Sequence, residues 1–213
     1  MRIGIYGGSF DPIHVGHLMI AEAAREQLRL DRVLFLPAAQ SPLKQELRPT
    51  EAKARVEMIR LAIGGHPQFV VDEREIHRGG ISYTVDTLKE ITSEKPKQDD
   101  APELSLSQEV EWFLLIGGDS LADFPRWKSP GEILRLASLA VVARGGSPEL
   151  NWSVLEPYCD FDTLVKIKNN QIRMPQMEIS SRDIRNRIAS GKTIRYLVPP
   201  AVSAYIESKE LYR

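Results

Sequence analysis

Residues 1–24, "MRIGIYGGSFDPIHVGHLMIAEAA", pass from a strand pattern to a helix pattern through a junction crowded with glycine, proline and histidine. Arg2–Gly7 carries Ile3 and Ile5 and ends in glycine, as a short buried strand does. From Val15 to Leu30, Leu18, Ile20, Ala21, Ala24 and Leu28 recur at helical spacing, with charge on the other face. A sequence concerned only with its core would enter that helix directly. Here Gly7, Gly8, Pro12, His14 and His17 occupy the entry.

The same alternation runs outward along the chain. "RVLFLP" (Arg32–Pro37) is an apolar run of strand length, and Thr50–Ile63 is an amphipathic helix with Thr50 as N-cap and Gly64-Gly65 as its stop. "FVVDER" (Phe69–Arg74) reads as a third strand, followed by a helix from about Thr84 to Thr92. "EWFLLIGG" (Glu111–Gly118) and "SLAVVARGG" (Ser138–Gly146) are further strands ending in glycines, with a helix near Gly131–Leu136 between them. "LVKIKN" (Leu164–Asn169) reads as a short strand, and Ser180–Ser190 and Pro200–Lys209 as closing helices. Residues 93–109 lack periodicity and are rich in charge and proline, an exposed loop inside a single domain spanning 1–213.

Strands apolar on both faces, alternating with helices, predict an α/β fold with a doubly wound parallel sheet and helices on both faces. Ligands of such sheets sit at the carboxyl ends of the strands, near the switch point. Gly7-Gly8, Gly117-Gly118 and Gly145-Gly146 are therefore expected to meet at one rim.

Composition narrows the ligand classes. Hydrophobic residues make up 42% of the 213 and charged residues 27%, ordinary for a soluble globular chain. A formal net charge of −1 gives no steering toward nucleic acid or an acidic membrane, and no apolar run is long enough to span a bilayer. Any polyanion must be held by a local cluster of donors. The single cysteine, Cys159, excludes an intramolecular disulfide and a multi-cysteine zinc site, in keeping with a reduced, cytoplasmic setting.

The first turn is neither G-x-G-x-x-G nor a Walker loop, since no Gly-Lys-Ser/Thr follows. The physics is nevertheless that of a phosphate site. Glycines allow close backbone approach, and a helix start offers N–H groups and partial positive charge. His14 and His17, three apart, share one face of the first helical turn and can donate to phosphate oxygens. Taken singly, the glycines are a tight turn. The histidines are structural, or half of a metal site whose third ligand is not evident from His66 and His77.

"GGSFDPIHVGH" resembles the signature of the nucleotidyltransferases whose H-x-G-H motif binds a nucleoside triphosphate. "ISSRDIR" (Ile179–Arg185) is similar to their second triphosphate motif, I-S-S-T-x-I-R. "SYTVDTL" (Ser82–Leu88) and "GGDSLADFPRW" (Gly117–Trp127) resemble the mononucleotide-binding segments of bacterial nicotinate-nucleotide adenylyltransferases, and "VVARGG" their fifth strand. The resemblance covers the chain from first strand to closing helix. It implies a Rossmann-like nucleotidyltransferase fold and adenylyl transfer from ATP to nicotinate mononucleotide, with Mg²⁺, giving deamido-NAD and pyrophosphate.

The same resemblance implies the site residues. His17 meets the α-phosphate region and stabilises the transition state; His14 helps hold the triphosphate; Gly8, Ser9 and Phe10 pack their backbone against the nucleotide. Ser180, Ser181, Arg182 and Arg185 take the outer phosphates, with Lys44 and Arg144 nearby, while Gly117, on the glycine rim, binds ATP and Asp119 accepts from its ribose hydroxyls. Ser82, Tyr83, Thr84 and Trp127 take nicotinate mononucleotide. Alone, Ser180 is a helix cap, Asp119 likewise, Trp127 a core residue, and Lys44 and Arg144 surface charges. The sequence departs from the family where P-P-H-K becomes Ser41-Pro42-Leu43-Lys44, and where Arg182 replaces the threonine of the second motif. Rival readings are a phosphopantetheine adenylyltransferase or a cytidylyltransferase, an enzyme acting on nicotinamide mononucleotide, a class I aminoacyl-tRNA synthetase fragment, and a non-catalytic nucleotide-binding module. A synthetase is opposed by the absence of K-M-S-K-S and of basic excess. A homo-oligomer is compatible with the sequence.

Overall fold

The computed structural model describes residues 1–42, 49–93, 110–144 and 149–213. Strands β1 (Arg2–Gly8), β2 (Arg32–Pro37), β3 (Phe69–Val71), β4 (Glu111–Gly117), β5 (Ser138–Arg144) and β6 (Ile172–Met174) form one six-stranded sheet in the order β3-β2-β1-β4-β5-β6. Every neighbouring pair is parallel, so the expected doubly wound architecture is present and the order reverses between β1 and β4.

Two cores explain the apolar strands. Along β4, Phe113 and Leu115 enter one core while Leu114 and Ile116 enter the other; on β5, Ala140 and Val142 oppose Leu139 and Val141 in the same way. The first core is closed by α1 (Val15–Gln27), α2 (Ala52–Ile63), α8 (Ser181–Ala189) and α9 (Pro200–Ser208), through side chains such as Ala24, Ile59, Ile184 and Val202. The second is closed by α4 (Thr84–Ser93), α6 (Pro130–Leu136) and α7 (Phe161–Asn169), through Leu88, Ile133 and Ile167. The short helices α3 (Arg74–Arg78) and α5 (Gly118–Asp123) follow β3 and β4 directly.

Four sequence expectations require correction. Helix α1 stops at Gln27, before Leu30, because Arg29 adopts φ +50° and the N–H groups of Arg29 and Leu30 close back on Glu26 and Arg25 carbonyls. Thr50 is not the cap of α2, which begins at Ala52 after Glu51. The third strand ends at Val71: the Asp72 carboxylate captures the backbone N–H of Arg74 at 3.0 Å and turns the chain into α3. "LVKIKN" is helical, not extended, because Asp160 caps α7 by accepting from the Thr163 N–H at 2.8 Å, and Leu164 and Ile167 are buried three residues apart. The sixth strand is Ile172–Met174 instead. Of the loop expected over 93–109, Ser93 ends α4; 94–109 and Gly145-Gly146 lie outside the described residues.

Candidate active site

The register of β1 locates the cleft. This strand pairs with β2 as far as Gly8↔Pro37, but with β4 only to Ile5↔Leu114. Beyond Ile5 the two central strands part, where the strand order reverses, and a cleft of about 1010 Å³ opens. Gly7, Gly8, Ser9 and Phe10 line it on one side, and Gly117 and Asp119, at the junction of β4 and α5, also line it.

Position 8 is tight: a Cβ there would lie 3.1 Å from Phe10 Cζ, so the buried Phe10 ring would have to give way. Phe10 holds φ +48°, a left-handed conformation unfavourable for a bulky residue, and burial compensates for it. Its ring sits edge-on to Tyr6 at 5.5 Å and to His17 at 5.1 Å. It therefore supports His17 from beneath.

His14 is the N-cap residue of α1 and is buried; His17 follows three residues on, and the rings stack with centroids 3.7 Å apart. The backbone N–H of His14 donates to His17 Nδ1 at 3.2 Å. With Nδ1 accepting, the neutral His17 ring carries its proton on Nε2, which makes that nitrogen the donor. Gly16 between them has a steric reason, since a Cβ there would meet His14 Cε1 and Nδ1 at 3.1 Å. Both imidazoles line the cleft.

The second motif arrives at the same place from the other end of the chain. Ser180 caps α8, its Oγ accepting from the Asp183 N–H at 3.1 Å and donating to Asp183 Oδ2 at 2.6 Å. Ser181 Oγ donates to the Pro12 carbonyl at 2.9 Å, and Arg185 Nη1 donates to the Asp11 carbonyl at 2.6 Å. Ser180, Ser181, Arg182 and Arg185 line the cleft that His14 and His17 line. The N-terminal turn of α8 thus offers its N–H groups and positive dipole end beside the start of α1.

The segments expected to take nicotinate mononucleotide also border this cleft. Ser82, Tyr83 and Thr84 lead into α4 and line it, as does Trp127. Ser82 is buried, and its hydroxyl accepts from the Ala39 N–H at 2.9 Å, tying this segment to the end of β2. Trp127 packs on Phe124 with centroids 5.4 Å apart, and its indole N–H is buried without a partner among the described residues. Next to it, Lys128 Nζ lies 4.6 Å from the Tyr83 ring centroid and 2.8 Å from Asp86 Oδ2. Lys44 lies outside the described residues; Arg144 ends β5, and only its backbone is described.

Sequence reasoning passed over Asp11, Arg55, Lys128 and Tyr212. Arg55 had a legible signal, a charge one helical turn from Met58 and Ile59 on the apolar face of α2. Lys128 stands next to Trp127, one residue past the end of a quoted segment. Tyr212 had none.

The cytidylyltransferase-like family model matches residues 5–187 of the chain. A Rhodopirellula baltica protein named "Probable nicotinate-nucleotide adenylyltransferase" is 44% identical over 211 residues, covering 99% of this chain and 93% of that protein. A Thermus thermophilus protein of the same name is 41% identical over 213 residues, covering 100% of both. The structure of Plasmodium falciparum nicotinic acid mononucleotide adenylyltransferase complexed with NaAD superposes with a TM-score of 0.69 at 18% identity, covering 99% of this chain and 97% of that one. At that identity the likeness shows the fold.

Proposed function

The chain belongs to the cytidylyltransferase-like family, among its nicotinate-nucleotide adenylyltransferases, and from that premise we propose that it transfers the adenylyl group of ATP to nicotinate mononucleotide in NAD biosynthesis. The observation that carries this reading is the meeting of the two motif-bearing ends of the chain. His14 and His17 from α1, and Ser181 and Arg185 from α8, line one cleft together with Thr84 and Trp127.

In this reaction an oxygen of the acceptor's phosphate bonds to the α-phosphorus of ATP. The bond from that phosphorus to the oxygen bridging the α- and β-phosphates breaks, and its electron pair leaves with pyrophosphate. A phosphate monoester has its second pKa near ~6, so at neutral pH the nucleophile is already an anion and no base is needed. The protein's part is alignment and charge neutralisation. His17 suits the α-phosphate, because its Nε2 is a donor in the tautomer set by His14. His14, the start of α8 and the forked guanidinium of Arg185 suit the outer phosphates.

Trp127 offers a flat face to the pyridinium ring, combining stacking with cation–π attraction. The start of α4 at Thr84 and the ammonium of Lys128 favour a carboxylate over a neutral amide. Asp119 is suited to ribose hydroxyls. Mg²⁺ enters this reading with the nucleotide, as the resemblance implied. When bound, it would supply neutralisation of the charge that builds on the departing pyrophosphate. We assign the reaction to the cytoplasm, the setting the single cysteine suggested.

The test is pyrophosphate release with ATP and Mg²⁺, comparing nicotinate mononucleotide, nicotinamide mononucleotide and phosphopantetheine as acceptors. The highest kcat/KM is expected for nicotinate mononucleotide. Equal values for acid and amide would remove the acceptor assignment, and no release with any acceptor would remove adenylyl transfer.

A further inference from the structure

The first-turn loop and the helix α2 beside it bury a pair of charges, Asp11 and Arg55, that the reaction itself does not call for. Arg55 is 1% exposed and Asp11 is 8% exposed. Burying a charge is costly unless it is paired and hydrogen-bonded. Arg55 directs its guanidinium at two backbone carbonyls, Nη1 to Ser9 O at 2.8 Å and Nε to Thr50 O at 2.9 Å. The Asp11 carboxylate receives the Tyr212 hydroxyl at 2.6 Å on Oδ1 and the Thr50 N–H at 3.1 Å on Oδ2. The carbonyl of the same Asp11 receives Arg185 Nη1. A chain of contacts therefore runs from Tyr212 through Asp11 to Arg185.

Two consequences follow from elementary electrostatics. An untethered carboxylate at the rim of an anion-binding cleft would repel a triphosphate and compete for Arg185. Here Tyr212 and Thr50 engage both of its oxygens. The carbonyls of Ser9, Asp11 and Pro12 are each held by a side chain from a distant element, so the loop is fixed without belonging to the sheet. Stability alone gives little reason for such a cluster, since apolar residues of like volume often replace buried ionic groups at no loss. Burial and the Asp11 contact push the Tyr212 phenol up, so it remains a donor wherever nucleotide phosphates are ionised.

We propose that Tyr212 and Arg55 are positioning residues for the transfer. Tyr212, acting through Asp11, keeps Arg185 aimed at the triphosphate, and Arg55, acting through Ser9, holds the first-turn loop that carries Asp11. The inference rests on Arg185 engaging ATP as described above.

Tyr212→Phe keeps the ring and deletes the hydroxyl. Pyrophosphate release with ATP and nicotinate mononucleotide should show kcat lowered about tenfold, with KM for the acceptor within about twofold, as for a misplaced donor group. In an Arg185→Ala background the same substitution should lower kcat no further, because its effect passes through that guanidinium. Arg55→Lys keeps the charge but loses the fork to two carbonyls, and should give the same kcat-selective loss in a protein that still melts cooperatively. Full kcat in both variants overturns the proposal. So does a loss that recurs unchanged in the Arg185→Ala background, or a failure of both variants to fold. If the unmodified protein releases no pyrophosphate with any acceptor, the adenylyl-transfer reading falls and takes this proposal with it. Release by the unmodified protein with multiplying losses removes this proposal alone.

Discussion

Replacing Gly16 with alanine should separate activity from stability. A Cβ at that position would lie 3.1 Å from both His14 Cε1 and His14 Nδ1. Carbon–carbon contacts are most favourable at about 3.5–4.0 Å, so the ring must retreat by roughly half an ångström. It has little room to do so. His14 is 5% exposed, its ring is stacked on His17 at 3.7 Å, and its backbone N–H is bonded to His17 Nδ1. The displacement is therefore passed to His17, the donor assigned to the α-phosphate. A misplacement of about 1 Å can cost a hundredfold in rate, so a shift of half that should lower kcat on the order of tenfold. Stability should move the other way or not at all, because alanine in a helix is favoured over glycine by about 0.5–1 kcal/mol, against the strain of the contact. Steady-state pyrophosphate release and a thermal melt on the same preparation measure both quantities. A kcat unchanged within about twofold, in a folded variant, would refute the claim that Gly16 keeps the imidazole pair in register.

Other substitutions separate the remaining roles. His17→Ala should lower kcat about a hundredfold or more with KM for ATP little changed, since the lost donor acts mainly on the transition state; single-turnover kinetics would expose an equal loss in binding instead. Lys128→Met keeps the stem over Tyr83 and removes the charge, leaving Asp86 unneutralised in the first turn of α4. The ratio of kcat/KM for nicotinate over nicotinamide mononucleotide should fall about two- to fivefold, a modest change because exposed ion pairs are weak, and an unchanged ratio would exclude Lys128 from acceptor choice. Chelation with EDTA should abolish pyrophosphate release yet leave the melting temperature where it was; a lowered melting temperature would reveal a structural metal.

What could be read from sequence followed the strength of local signals. β2 was legible residue for residue, because "RVLFLP" is bounded by charge and proline and apolar throughout. α7 was misread because Leu164, Val165 and Ile167 are β-branched or apolar and sit among lysines, so a six-residue window alternates like a strand. The deciding contact, the Asp160 cap, lies outside that window. The end of α1 was missed because the left-handed position of its stop is filled by Arg29, where glycine is the usual marker. Among the residues that line the cleft, His14, His17, Ser180 and Arg185 could be picked out because each stands in a contiguous motif. The Asp11–Tyr212 contact spans 201 residues, and nothing local to either partner announces it.

The formal charge of −1 and the proposed site for a polyanion are reconciled by the topology of the sheet. In a parallel sheet every strand runs the same way, so each helix that follows a strand begins at the same rim. α1 begins after β1, α5 after β4 and α8 after β6, and the residues at all three starts line one cleft. Their positive dipole ends converge there whatever the surface charge. That much is shared by many unrelated enzymes and fixes no reaction. Side chains at those starts narrow it: an imidazole pair at α1 aligned by the absence of a side chain at Gly16, and a forked guanidinium one turn into α8. The carboxylates beside them test this view, because each is itself an anion in an anion site. Asp183 is engaged by Ser180 Oγ, and Asp11 by Tyr212 and Thr50. With these two carboxylates held by their own donors, and Asp119 at the start of α5 assigned to ribose hydroxyls in the proposed reaction, the imidazoles and Arg185 are the groups left to act on a triphosphate.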